Sequence, residues 1–125
     1  MSATHDGDRP LIAVVCAVPL LGEAMSSALE FAEVHSFAAR AGDIGGLLHW
    51  LHPDAVIVDN DASAADATAF AQQHNMPVVH IALRERALRL FRSGEWEDVG
   101  NGDGPTAEAI RNVVAGVLFA RNGQT

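Results

Sequence analysis

Apolar positions along the chain fall into short blocks separated by polar breaks, and the blocks alternate between two periods. Leu11 to Ala17 is a continuous apolar run containing β-branched residues, the pattern of a strand covered on both faces. Pro19 suits the first turn of a helix. From there Leu21, Ala24, Met25, Ala28, Leu29 and Ala32 recur at helical spacing, with Glu23, Ser26, Ser27 and Glu30 on the opposite side. Val34 to Ala38 predicts a short, weak strand. Ala41-Gly42-Asp43 is a break in which Asp43 is placed to cap a helix over Ile44 to Leu51. His52-Pro53 ends that helix, because the residue before a proline disfavours the helical region. Ala55 to Val58 is the cleanest buried-strand pattern in the chain. Ser63 is expected to cap a third helix over Ala64 to His74, with Ala67, Phe70 and Ala71 inward. Asn75-Met76-Pro77 is a loop, and Val78 to Leu83 predicts a fourth strand.

The stretch from Arg84 to Gly104 fits two readings. Leu83, Ala87, Leu90 and Phe91 share one helical face. Leu88 and Leu90 also share a strand face, with Ser93-Gly94 as a hairpin turn before Glu95 to Val99. Length favours the hairpin, since a crossover helix, two connections and a strand barely fit between Leu83 and Val99. Asn101 to Gly104 is a loop. Pro105 opens a last helix with Ala109, Ile110, Val113, Val114, Val117 and Leu118 as its core side, and Asn122-Gly123 ends it. Strands alternating with helices predict an α/β fold with a doubly wound parallel sheet. Residues 1–9 read as a polar, mobile tail and residues 10–122 as one domain, in line with a length of 125 residues.

Charge narrows the partners. The net charge is −8, a field that repels phosphate backbones, so direct nucleic-acid binding is not expected. All eight basic residues are arginine and the chain has no lysine. Four of them, Arg84, Arg86, Arg89 and Arg92, cluster, and with Glu85 and Glu95 nearby they read as a solvated face. The apolar run after Arg9-Pro10 is too short to span a bilayer and lacks the flanks of a signal peptide. The single Cys16 forms no internal disulfide. Together these predict a cytoplasmic protein without membrane contact.

The order of segments, over roughly Leu11 to Arg121, resembles the receiver domains of bacterial response regulators. Val18-Pro19-Leu20-Leu21-Gly22-Glu23-Ala24 is similar to that family's H-P-L-L-R-E-G segment after the first strand. Pro53-Asp54-Ala55-Val56-Ile57-Val58-Asp59 resembles its P-D-x-V-x-x-D strand, and Ala109-Ile110-Arg111 resembles its last helix. The resemblance implies a flavodoxin-like sheet of strand order 2-1-3-4-5, here with a hairpin over 84–99 standing in place of the fourth helix. It also puts Asp59 at the phospho-acceptor position. The family's acidic pair for Mg²⁺ falls on Cys16 and Ala17, its hydroxyl near Ala82, and its lysine near Val99 or Gly100. Only Asp59 is retained. Asp61 offers a further carboxylate, but in the loop beyond the strand.

Phosphoryl transfer to a carboxylate depends on positioning and charge neutralisation, and Mg²⁺ needs hard oxygen ligands. The expectation is therefore a pseudo-receiver with no cofactor and Mg²⁺ bound weakly or not at all. It would not be an enzyme, and it would act through a protein partner or a homodimer in bacterial signalling or transcription regulation. Arg89, Phe91, Arg92 and Trp96 are the candidate partner interface. Two alternatives stay open: a phosphoryl-accepting receiver using Asp59 with an unusual metal arrangement, and a small-ligand sensor at the strand rim formed by Cys16, Asp59 and Ala82. His49 and His52 are expected at the surface. His80 is expected to be buried and hydrogen-bonded.

Overall fold

The computed structural model describes residues 10–38, 44–82, 84–99 and 106–123. Six strands form one sheet in the order β2-β1-β3-β4-β5-β6. The apolar runs become its centre: β1 (Leu11–Cys16), β3 (Ala55–Val58) and β4 (Val78–Ala82) are buried along nearly their whole length. β2 (Glu33–Ala38) is a half-exposed edge strand, as its weak pattern predicts. β1 pairs in parallel with β2 and with β3, and β3 pairs in parallel with β4.

Each parallel step is made by a helix, because a strand can return to the same direction only by crossing over. α1 (Pro19–Ala28) links β1 to β2, α2 (Ile44–Leu51) links β2 to β3, and α3 (Asp61–His74) links β3 to β4. α4 (Ala107–Gly123) closes the described chain. Strand alternation then splits the core in two. Ile12, Val14, Ile57, Val79 and Ile81 pack under α1 and α4, while Ala13, Val15, Val56 and Val58 pack under α2 and α3. Ile57 is wholly buried, and burial of a side chain of that size contributes about 1.5–3 kcal/mol.

After β4 the chain makes no crossover. β5 (Ala87–Arg92) returns antiparallel beside β4, and β6 (Glu95–Asp98) returns beside β5. The hairpin reading of 84–99 is thus the one adopted, and the strand order 2-1-3-4-5 holds with a sixth strand added. The sheet is mixed: its last two strands run antiparallel to their neighbours. The Ser93-Gly94 turn has φ of 57° and 81° at its two positions, the left-handed pair that a two-residue hairpin loop requires. Arg86 reaches φ 53° in the turn before β5.

Three local expectations change. α1 stops at Ala28 rather than running on to Ala32; the Leu29 N–H still bonds the Met25 carbonyl, but its backbone leaves the helical region, and Ala32 is buried in the connection to β2. β2 begins one residue early because Glu33 pairs with Leu11. α3 begins at Asp61 and is capped by Asn60, whose Oδ1 accepts the Ser63 N–H at 2.8 Å; Ser63 is a buried first-turn residue, not the cap. The 1–9 tail, the 41–43 break with its Asp43 cap, Leu83, and the segment from Gly100 to Pro105 lie outside the described residues.

Gly22 sets how closely α1 approaches β2. A Cβ there would lie 2.7 Å from the Ser36 Cβ and 2.9 Å from its Oγ. The Ser36 Cβ is fixed to the strand backbone and cannot swing aside. Overpacking of this kind costs about 1–3 kcal/mol, set against about 1 kcal/mol gained in helix propensity. Gly22→Ala is expected to lower the urea midpoint, and Ser36→Gly in the same chain is expected to restore it; equal midpoints for wild type and Gly22→Ala would show that the contact yields freely.

Candidate functional site

The carboxyl ends of β1, β3 and β4 meet at one rim. Val15 lies opposite Val58, and Val58 lies opposite His80, so Asp59, the residue after β3, is level with Cys16 at the end of β1 and with Ile81 near the end of β4. Its carboxylate faces the start of α1. Oδ1 accepts the Ala17 N–H at 2.8 Å, and Oδ2 accepts the Val18 N–H at 3.1 Å. The Asn60 Nδ2 donates a third hydrogen bond to Oδ1 at 2.9 Å.

This arrangement follows from what the local sequence lacks. Val18 is the N-cap of α1 and has no side-chain oxygen with which to cap it. The exposed N–H groups of a helix start carry partial positive charge and need acceptors. Asp59, from a different strand, accepts the N–H of the N-cap residue Val18 and that of Ala17 just before it. Asn60 then joins the two helix starts, donating to Asp59 with its amide nitrogen while its amide oxygen caps α3. The role of Asn60 was not read from the sequence, although an asparagine three positions before a serine at a helix start is a capping signal.

Cys16 and Ala17 carry no side-chain oxygen. The Cys16 thiol is buried and points toward β2, donating to the Phe37 carbonyl at 3.9 Å. Burial pushes its pKa up, the nearby Asp59 carboxylate adds to this, and a backbone hydrogen bond from Gly22 opposes it. Among the described residues no group of three or more His, Cys, Asp or Glu is placed to hold a metal ion. The end of β1 thus adds no hard oxygen side chain of the kind Mg²⁺ prefers, and the carboxylates beside Asp59 are those of Asp61 and Glu85 across the cleft.

A cleft of about 280 Å³ opens beside Asp59, lined also by Asn60, Asp61, His80, Ala82, Arg84 and Glu85. Asp59 and Ala82 share it, as the rim reading expects, but Cys16 is not part of its lining. Asp61 is fully exposed, and its Oδ1 lies 3.6 Å from the Nε2 of His80. A second hollow of about 500 Å³ sits at the opposite end of the sheet, around Asn75, Met76 and the Ser93-Gly94 turn, far from Asp59.

The four residues expected to form a partner interface do not form one patch. Successive side chains in a strand point to opposite faces. Phe91 and Trp96 pair across β5 and β6 with ring centroids 5.3 Å apart, on the α3 side of the sheet. Phe91 is only 4% exposed and belongs to the core beneath Trp96, which is 40% exposed. Arg89 shares their face. Arg92 points to the other face and bonds Glu97 at 3.3 Å.

His80 is buried on the Trp96 face, with its ring edge-on to the indole at 6.0 Å. His49 and His52 are at the surface, their rings 5.7 Å apart. Burial pulls the pKa of His80 down and Arg89 adds to this, against the carboxylates of Asp61, Glu85 and Asp59. The folded ring thus resists a proton that the unfolded chain accepts. Stability from this source is complete above the ordinary imidazole value of 6.5 and is lost as pH falls below it. Urea midpoints at neutral and mildly acidic pH are expected to differ more for wild type than for His80→Gln, and parallel behaviour of the two chains would refute the assignment.

No protein-family model matches the chain, and no curated protein matches it in sequence. Solved structures do match. The anti-anti-sigma factor PhyR from Bartonella quintana aligns with 93% of this chain at TM-score 0.64 and 17% identity. The response regulator PhyR from Brucella abortus aligns with 95% of it at TM-score 0.66 and 16% identity. The chain spans about half the length of these proteins, 50% of the first and 53% of the second. Together with the strand order, they show that this chain has a receiver-like α/β fold.

Proposed function

We propose that the chain is an atypical receiver-like regulatory module that works through protein–protein contacts in the cytoplasm, without phosphoryl transfer to Asp59. One observation carries this reading: both carboxylate oxygens of Asp59 are already hydrogen-bonded to backbone N–H groups at the start of α1. Esterifying one of these oxygens would withdraw negative charge from it and weaken the bonds it accepts, so phosphorylation would work against the tie to α1. The product would also place added negative charge beside Asp61 and Glu85, with Arg84 the one basic side chain lining the cleft. The chain has no lysine to offset that charge, and Ala82 has no hydroxyl to follow it. Electrostatic stabilisation is the main means by which proteins catalyse phosphoryl transfer, so the loss of these groups weighs against both rate and switching. On this reading Mg²⁺ is not needed, and Asp59 serves to tie the end of β3 to the start of α1.

The PhyR proteins, named as an anti-anti-sigma factor and a response regulator, support regulation rather than enzymatic chemistry as the role of this fold. The exposed Trp96 on the α3 side of the hairpin supports a protein partner. A homodimer would satisfy the same requirement in general terms.

Incubation with acetyl phosphate and Mg²⁺ followed by intact-mass measurement tests the proposal. No phosphoryl adduct is expected over an hour-scale incubation. Asp59→Asn is expected to lower stability by about 1–2 kcal/mol, because its amide would face one backbone N–H with a donor instead of an acceptor. Rapid, Mg²⁺-dependent phosphorylation of Asp59 together with an unchanged urea midpoint for Asp59→Asn would overturn the reading.

A further inference from the structure

Three histidines from two helices gather at one place. His49 lies in the last turn of α2, His52 follows that helix, and His74 ends α3. The His49 ring stands 5.7 Å from that of His52 and 6.4 Å from that of His74, centroid to centroid. The His52 N–H still bonds the Leu48 carbonyl, so helical spacing sets the first pair. The fold makes the second. α2 and α3 pack on the same face of the sheet, and both run against the parallel strands they join. Their C-terminal ends therefore lie at the same end of the sheet. His49 and His74 line one hollow of about 360 Å³ between the helices, and all three imidazoles are exposed. The Phe70 ring stacks on His74 at 4.1 Å and limits where that imidazole turns.

We propose that His49, His52 and His74 bind one divalent transition-metal ion of the Zn²⁺, Ni²⁺ or Cu²⁺ class, which clamps the C-terminal ends of α2 and α3 together. Ligand type selects the class. Imidazole nitrogen suits these ions, whereas Mg²⁺ and Ca²⁺ take carboxylate and carbonyl oxygens. As the rings stand they do not close on one point. Two imidazoles on one tetrahedral ion, with Zn–N near 2.0–2.1 Å, hold their centroids about 5 Å apart, so each ring needs to move by about 1 Å. These side chains are at the surface, and rotation about their own torsions supplies that movement without shifting a helix. Water completes the shell.

The surroundings favour a cation. A helix C-terminus carries partial negative charge on its free carbonyls, and two such ends meet here. The sequence from 42 to 83 contains no arginine and the chain has no lysine, so no fixed positive charge on α2 or α3 opposes the ion. Asp66 lines the same hollow. It sits about 12 Å before His74 along α3 and adds negative field rather than a ligand. The site lies at the end of the sheet opposite Asp59, so its occupancy is independent of the regulatory reading above.

Calorimetric titration of the whole chain with ZnCl₂ and with NiCl₂, each in excess MgCl₂, tests the proposal. One ion per chain is expected to bind. His49→Ala, His52→Ala and His74→Ala are each expected to weaken Zn²⁺ binding roughly tenfold or more, since even the outer-shell partners of a metal are worth about 10–100-fold. His5→Ala and His35→Ala, at histidines outside the cluster, are expected to leave it unchanged. Because the ion needs both helices in place, Zn²⁺ is expected to raise the urea midpoint of the wild type and not that of His74→Ala. Midpoints without metal confirm that the variants fold. Imidazole NMR signals of the wild type, expected to shift for all three rings together at one equivalent of Zn²⁺, keep the test decisive if a variant does not. An absence of binding, binding that survives all three replacements, binding that needs His5, His35 or His80 instead, or displacement by Mg²⁺ would overturn the inference.

Discussion

The carboxylate of Asp59 ties the end of β3 to the first turn of α1, and the rim of the sheet is organised around that tie. The chain enters α1 through Ala17 and the N-cap Val18, and the N–H groups of both turn toward one carboxylate. Asp59 provides its two oxygens, at 2.8 and 3.1 Å. Asn60 extends the tie to the start of α3. Two helix starts and two strands thus share one short hydrogen-bonded chain. A residue placed this way serves the fold by staying where it is.

The second determining feature is the change of direction after β4. A crossover helix would have covered the β4–β5 region and kept the sheet parallel. The left-handed residues Ser93 and Gly94 instead allow a two-residue turn, and the chain returns beside itself. The outcome is a sheet whose central strands are sealed on both faces and whose last strand is exposed along all four of its residues. Acidic side chains on such an edge oppose self-association.

The residues that hold this fold together are distinct from those at its rim. The buried strands depend on apolar contacts from Ile12, Ile57 and Ile81, none of which takes part in phosphate chemistry. Substitution at the rim leaves that core intact. The same separation makes fold similarity at 16–17% identity informative about architecture and silent about activity.

Much of this was legible in the chain itself. The runs 11–17, 55–58 and 78–83 read as central strands, since adjacent apolar residues in so few positions fit a strand covered on both faces. The absence of lysine is likewise a fact of composition that no folding can alter. The hairpin over 84–99 was readable from length and from Ser93-Gly94. Tertiary structure alone decided the partners. Whether Asp59 is open to solvent or bound to amides depends on where α1 begins relative to β3, 41 residues distant from Val18. Whether Phe91 is surface or core depends on which strand face meets α3. Local periodicity reports how a segment buries itself; which groups it meets is set by the packing of segments far apart in sequence.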